Sequence, residues 1–267
     1  MTEPTTTVLE YEGVSVRVVS LGAGDPVLLV HGFASSLDAW GRNRAALARS
    51  YHVVCLDLPG FGQSSKVALE RLEDFTGWLA RVLDHFGLPW AHVVGHSFGG
   101  MLSAAFALEQ PQRVRSLALV DSAGLGPRHS ARYHEELTGG RTRDDARKAL
   151  EEAFHDPASI PDSAVERAFA YFSEPGVQQL IPHLDRIRQA WDAHVQARID
   201  QIGVPMLVVW GREDRMIPVA NAERVRDLPN ARIVVLGDCG HVPQVEAADA
   251  FNAHLLEHLA GASRAGT

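Results

Sequence analysis

The chain has 267 residues, 46% of them hydrophobic and 22% charged, which suits one large soluble α/β domain with a substantial core. Its formal net charge of −8, with acids and bases interspersed, offers no electrostatic footing for nucleic acid or an anionic membrane. No apolar run approaches the roughly 20 residues that span a bilayer, and Cys55 and Cys239 make neither a metal-ligand spacing nor a disulfide framework. Met1–Thr7 has neither the basic region nor the apolar run of a signal peptide, so a cytoplasmic protein is expected.

Val8–Tyr11 and Val14–Val18 flank Glu12-Gly13 and predict an antiparallel hairpin at a sheet edge. From Pro26 to Val30 the pattern becomes continuously apolar, as in a parallel strand covered on both faces. Similar runs follow at Val53–Leu56, Val93-Val94, Leu117–Val120, Met206–Val209 and Ile233–Leu236. Helical segments separate most of them. Phe75, Trp78, Leu79, Val82 and Leu83 mark one apolar face, with Gly87 as the expected C-cap. Eight strand segments alternating with helices predict a mostly parallel, doubly wound α/β sheet with helices on both faces.

Between Ser122 and Ile202 the strand signal disappears. Thr142-Arg143-Asp144-Asp145 predicts a capping box. Val165, Ala168, Phe169 and Phe172 keep helical spacing, as do Leu180, Leu184, Ile187 and Trp191. Gly139-Gly140, Asp156-Pro157 and Glu174-Pro175-Gly176 read as turns, and the charged stretch from Arg128 to Arg147 as a solvated face. The expected organisation is a core domain of residues 1–124 and 203–267, interrupted by a helical lid at 125–202 before the last two strands. The tail from Gly261 is expected to fray.

Val94-Gly95-His96-Ser97-Phe98-Gly99-Gly100 is a strand ending in Gly-x-Ser-x-Gly, followed by a helix of small residues. Such a turn exposes the serine hydroxyl above the sheet, making Ser97 the candidate nucleophile. A serine needs a base, and the base needs an orienting acid. The loops after the last two strands supply Asp214 and His241, in the order Ser, Asp, His. Glu213 and Asp121 are rivals for the acid, but Gly-x-x-Asp favours Asp214 over Glu213, and Asp121 reads better as a cap on the Ser122-Ala123-Gly124 turn. The backbone N–H groups of Phe33 and Phe98 are the expected oxyanion donors, from the His31-Gly32-Phe33-Ala34 loop and the helix start. His31 and His96 read as structural histidines. Asp57–Ser64 is glycine-rich but lacks the lysine of a phosphate loop, so it reads as a rigid turn.

Together, His31-Gly32-Phe33, Asp57–Ser64, Gly95–Gly100, Gly211-Arg212-Glu213-Asp214 and Gly240-His241 make the sequence resemble the α/β-hydrolase-fold enzymes of the single-domain, lidded type. Among serine members it is similar to carboxylesterases. It is also similar to the carbon–carbon hydrolases of meta-cleavage products and to proteins linked to acetoin breakdown, the last two through Val120–Gly126. The resemblance implies an acyl-enzyme hydrolase of a small to medium hydrophobic ester, lactone or thioester. A carbon–carbon hydrolase of a diketone and a receptor-like module with little turnover are the alternatives. The expected pocket walls are Ala34, Met216, Ile217, Val242, Phe169, Phe172 and Trp191. A small-molecule substrate, no cofactor, no metal and no nucleic acid or membrane partner are expected, in a monomer or a homodimer.

Overall fold

The computed structural model describes residues 3–127, 142–174 and 176–265. The Gly139-Gly140 turn, Pro175 and the Arg128–Arg141 part of the charged stretch lie outside them. The strands are β1 (Thr5–Tyr11), β2 (Val14–Gly22), β3 (Asp25–Val30), β4 (Tyr51–Leu56), β5 (Ala91–His96), β6 (Val114–Val120), β7 (Met206–Gly211) and β8 (Ala231–Leu236). They form one sheet in the order β1-β2-β4-β3-β5-β6-β7-β8. Only β2 runs against the rest, pairing antiparallel with β1 and β4. The expected hairpin turns at Glu12 and Gly13, both with positive φ (50° and 79°), as a tight two-residue turn requires.

The helices are α1 (Gly41–Leu47), α2 (Leu72–His85), α3 (Phe98–Glu109), α4 (Arg143–Ala153), α5 (Asp162–Ser173), α6 (Val177–Gln196), α7 (Pro243–Glu246) and α8 (Ala248–Ala265). Strand side chains alternate between the faces of the sheet, so each interior apolar strand feeds two cores. β8, at the sheet edge, is only partly covered, with Val235 exposed, contrary to the buried run expected there. Leu28, Val30, Val54, Leu56, Val93, Leu117 and Leu119 pack with α2, α3 and α6. Val27, Leu29, Val53, Cys55, Val94, Ala118 and Val120 pack with Leu47 of α1 and Phe251, Leu255 and Leu259 of α8. This two-sided burial explains why these runs read as continuously apolar. At the end of α2, Gly87 takes φ 64° and its N–H donates to the Asp84 carbonyl, while the Leu88 N–H reaches back to Leu83. Those two bonds are the expected glycine C-cap.

Between β6 and β7 the described residues are helical, with α4, α5 and α6 inserted before the last two strands. Thr142 caps α4, accepting from the Asp145 N–H and donating its own backbone N–H back to the Asp145 carboxylate. The C-terminus corrects the expectation of a frayed tail. α8 continues through Gly261 to Ala265, because Ala262 is buried and the Ser263 hydroxyl donates to Asp25 Oδ2 at 2.8 Å. No described helix is long and apolar enough to cross a membrane.

Parallel register brings the carboxyl ends of the central strands together. Val30 pairs with Gly95, His96 with Val120, Val120 with Val209, and Gly211 with Leu236. The loops that leave these ends, at Phe33, Ser97, Asp121, Asp214 and His241, therefore open on one edge of the sheet, the usual location of ligand sites in such folds.

Candidate active site

Ser97 stands between β5 and α3 with φ 53° and ψ −117°, a backbone that side chains rarely adopt. The flanking glycines permit this tight reversal. A Cβ on Gly95 would lie 2.3 Å from the Gly99 carbonyl oxygen, and one on Gly99 would lie 2.3 Å from the His31 carbonyl oxygen. The turn is pinned from both sides. The Ser97 N–H donates to the Val120 carbonyl at 2.9 Å, and the Ala123 N–H donates to the Ser97 carbonyl at 3.1 Å. Phe98 opens α3, so its N–H belongs to the first-turn donors that lack a partner within the helix, at the positive end of the dipole. Phe33 follows β3, and its ring meets that of Phe98 edge-on at 5.7 Å.

His241 and Asp214 are in direct contact: His241 Nδ1–H donates to Asp214 Oδ2 at 2.8 Å, with both side chains buried. The other Asp214 oxygen accepts from the N–H groups of Met216 (2.8 Å) and Ile217 (3.0 Å). Burial pushes the Asp214 carboxyl upward, but His241, then its other hydrogen bonds, bring it below the ordinary carboxylate value. His96 adds a clamp between elbow and base. Its Nε2–H donates to the His241 carbonyl at 2.7 Å, and the two rings lie 4.9 Å apart. Burial lowers His96 to about 3, so it is a neutral donor at physiological pH. His31 braces the neighbouring loop, accepting from the Leu58 N–H at 2.9 Å and donating to the Gly32 carbonyl at 2.7 Å. The Asp57–Ser64 segment is the rigid turn expected of it, with the Asp57 carboxylate accepting from the N–H groups of Leu37 and Gln63.

Asp121 departs from its expected role. Its carboxylate does not cap Ser122-Ala123-Gly124. Oδ1 instead accepts from the Gly211 N–H at 3.0 Å, crossing to β7. The left-handed backbone at Asp121 (φ 42°) carries the side chain inward, where it is fully buried. One oxygen from each of Asp121 and Asp214 and a ring nitrogen of His241 lie within 4.8 Å of one another. A divalent ion would have to displace the 2.8 Å bond between His241 and Asp214 to use this donor set.

The seven expected wall residues fall into two groups. Ile217 and Phe172 are buried in the main core, with Ala34 and Trp191 packed against it. The Trp191 ring stacks on Phe98 at 6.4 Å and meets Phe75 at 5.7 Å. Phe169 and Val242 instead pack against the small core of the insertion, around Ala146, Ala153, Phe154, Ile160 and Val165. Met216 touches both groups. Tyr171, not anticipated from the sequence, anchors α5 to the core by donating its hydroxyl to the Gly60 carbonyl at 2.8 Å.

Glu246 was also missed. It joins the insertion to the loop of the candidate base: Oε1 accepts from the His155 N–H at 2.8 Å and Oε2 from the Gly240 N–H at 2.7 Å. Beside it, the His241 N–H donates to the Ala153 carbonyl at 2.7 Å. Nothing in the local sequence announces such a bridge, since Gly240 lies six residues before Glu246 but His155 lies 91 residues away. Glu246→Gln would replace one acceptor oxygen with an amide NH₂, a donor that faces a backbone N–H and leaves it unsatisfied. A loss of about 2 kcal/mol of stability is expected by urea denaturation, together with a larger fall in kcat than rise in KM. A variant as stable and active as the parent would remove Glu246 from this role.

A profile described as the alpha/beta hydrolase fold matches residues 25–248. The acetyltransferase component of the acetoin cleaving system of Cupriavidus necator is 37% identical over 257 residues, covering 94% of this chain and 68% of that protein. Lipase 1 of Psychrobacter immobilis is 34% identical, over 85% of this chain and 74% of its own length. Among solved structures, a meta-cleavage product hydrolase from Pseudomonas fluorescens superimposes with a TM-score of 0.86 at 26% identity, over 96% of this chain and 98% of that one.

Proposed function

The chain belongs to the α/β-hydrolase-fold family, and from that premise we propose that it is a serine hydrolase acting through an acyl-enzyme on a small to medium hydrophobic carboxylic ester, lactone or thioester. Ser97 attacks the carbonyl carbon, and His241 takes its proton and later delivers it to the leaving group. Asp214 holds the His241 ring with the proton on Nδ1, which leaves Nε2 as the base. The backbone N–H groups of Phe33 and Phe98 receive the oxyanion. Water then repeats the attack on the acyl-enzyme and releases the acid. The observation that carries this reading is the linkage of the strained Ser97 turn to the His241–Asp214 pair through the 2.7 Å bond from His96 to the His241 carbonyl. The pair alone would fit many buried histidines. Its fastening to a serine turn at the start of a helix supports nucleophilic catalysis.

The choice of substrate rests on the aromatic surroundings. Phe33, Phe61, Phe75, Phe98 and Trp191 form a continuous set of ring contacts around the elbow, which favours an apolar acyl or aryl group. The helical insertion is read as a lid over this surface. A second reading, hydrolysis of a carbon–carbon bond in a vinylogous diketone, is favoured by the likeness to the Pseudomonas fluorescens enzyme.

Fluorophosphonate labelling tests the nucleophile, with a single adduct expected on Ser97 and none in Ser97→Ala. Hydrolysis of short p-nitrophenyl esters beside matched diketones then ranks the chemistries, with the higher kcat/KM expected for an ester. Undiminished ester turnover in Ser97→Ala would remove the mechanism. A diketone that outpaces every ester would transfer the assignment to carbon–carbon cleavage.

A further inference from the structure

Two buried carboxyl groups, Asp121 and Asp214, lie beside the His241 ring, and the mechanism uses only one of them. Both oxygens of Asp214 have donors: two backbone N–H groups on Oδ1 and His241 on Oδ2. Asp121 does not. Its Oδ1 accepts from the Gly211 N–H, while its buried Oδ2 receives no hydrogen bond. The titratable groups facing this carboxyl are Asp214 on the loop after β7, Cys239 and His241 on the loop after β8, and Glu246 on α7. None is a lysine or an arginine. A second buried carboxylate here would face negative neighbours with an oxygen that has no donor.

We propose that Asp121 is a positioning residue of the triad, protonated on Oδ2 and hydrogen-bonded through that proton to the Asp214 carboxylate. The Gly211 N–H fixes which oxygen carries the proton, since the oxygen that accepts it must be bare. Protonation converts an orphaned acceptor into a donor and gives Asp214 a further ligand. Burial, then the charge of Asp214, hold the Asp121 carboxyl well above its ordinary value, in keeping with this assignment. The pairing tempers the negative charge that His241 feels and fixes the plane of the carboxylate against which its ring rests. This rests on the triad proposed above for its catalytic meaning, though the proton itself can be detected without any substrate.

The test uses the full chain as wild type, Asp121→Asn and Asp121→Ala. Asparagine keeps the arrangement: its carbonyl accepts from Gly211, so its amide N–H points where the acid proton stood. Two quantities are read: the acid limb of the kcat/KM profile, and the pH midpoint of the low-field ring N–H resonance of His241 in proton NMR, assigned by its loss in Asp214→Ala. For Asp121→Asn the expected result is kcat within ~3-fold of wild type and a midpoint unchanged within ~0.3 pH units. Removing an ionised neighbour would instead lower that midpoint by ~1 unit. For Asp121→Ala, Asp214 loses a donor, so kcat falls by at least ~10-fold and the midpoint rises. A lowered midpoint in Asp121→Asn, or no change in either quantity in Asp121→Ala, overturns the proposal. Should Asp121→Ala fail to fold, the Asp121→Asn result alone decides. Absence of turnover in the wild type, with the NMR midpoints as expected, would remove the hydrolase reading and leave the shared proton standing.

Discussion

Replacing Asp214 with asparagine is expected to lower kcat by about 10⁴-fold while leaving the fold and KM nearly unchanged. The reason is the occupancy of its two oxygens. Oδ1 accepts from two backbone N–H groups, Met216 and Ile217, and those donors cannot turn away. Asparagine must therefore keep its carbonyl on that side. Its amide NH₂ then faces His241 Nδ1, where Oδ2 stood at 2.8 Å. Two N–H groups cannot share that contact, so the imidazole moves its proton to Nε2, and the nitrogen meant to accept from Ser97 becomes a donor. Steady-state turnover at saturating ester, with thermal melting as control, measures the effect. A loss smaller than about 10-fold would show that another group orients His241.

Among the described residues, Asp121 is the other acid grouped with the His241 ring, which makes the pair of acidic positions informative. Both follow strands, both are buried, and both lie near the His241 ring. What separates them is the set of donors each receives. Asp214 collects three donors and so is stabilised as an anion. Asp121 collects one and is not. The same comparison separates the proposed orienting acid from its proposed support, a distinction sequence order alone cannot make.

The parts legible in the sequence are those encoded by neighbours. The Gly-x-Ser-x-Gly turn, the Thr142 capping box and the Gly87 cap each draw on a few adjacent residues. The two-faced burial of the parallel strands leaves a plain apolar run. Chain order nominated Asp214 and His241 because each follows a strand directly. The parts that stayed hidden bridge distant segments. His96 reaches a carbonyl 145 residues away and Asp121 an amide 90 residues away. Glu246 binds donors from two separate stretches, and Ser263 holds a tail that composition alone would release. For Asp121 the local alternative, a cap on its own turn, was chemically sound. The left-handed backbone at that residue aims the carboxylate across the sheet instead, and no local pattern encodes that angle.

Acid should unfold this protein well before its ordinary carboxylates titrate. Burial lowers His92 and His258 to about 4 and His96 to about 3, so all three are neutral in the native state at pH 5. In the unfolded chain each takes up a proton below about pH 6.5. Asp121 works in the opposite sense, being held protonated in the fold and ionised when unfolded above its ordinary value. From these four groups, between about pH 6.5 and 4 the unfolded state binds up to about two more protons than the native state. Their contribution to stability therefore falls as pH falls, by up to ~3 kcal/mol per unit. The lowered His31 and His52 act in the same sense, and the raised Glu246 opposes them. Because the difference narrows at both ends of that window, the loss from these four groups sums to ~5 kcal/mol, comparable to the whole stability of a marginal domain. Urea titrations at pH 7, 6 and 5 should show the decline, and a flat profile would contradict it. His92→Asn can keep a hydrogen bond to the Ser116 hydroxyl that His92 contacts at 2.8 Å, while removing one titrating group, so the slope should fall by ~1.4 kcal/mol per unit. Asp121→Asn removes the opposing proton, and the slope should steepen by ~1.4 kcal/mol per unit. An ionised Asp121 would leave that slope unchanged, so the equilibrium measurement tests the shared proton a second time, without reference to catalysis.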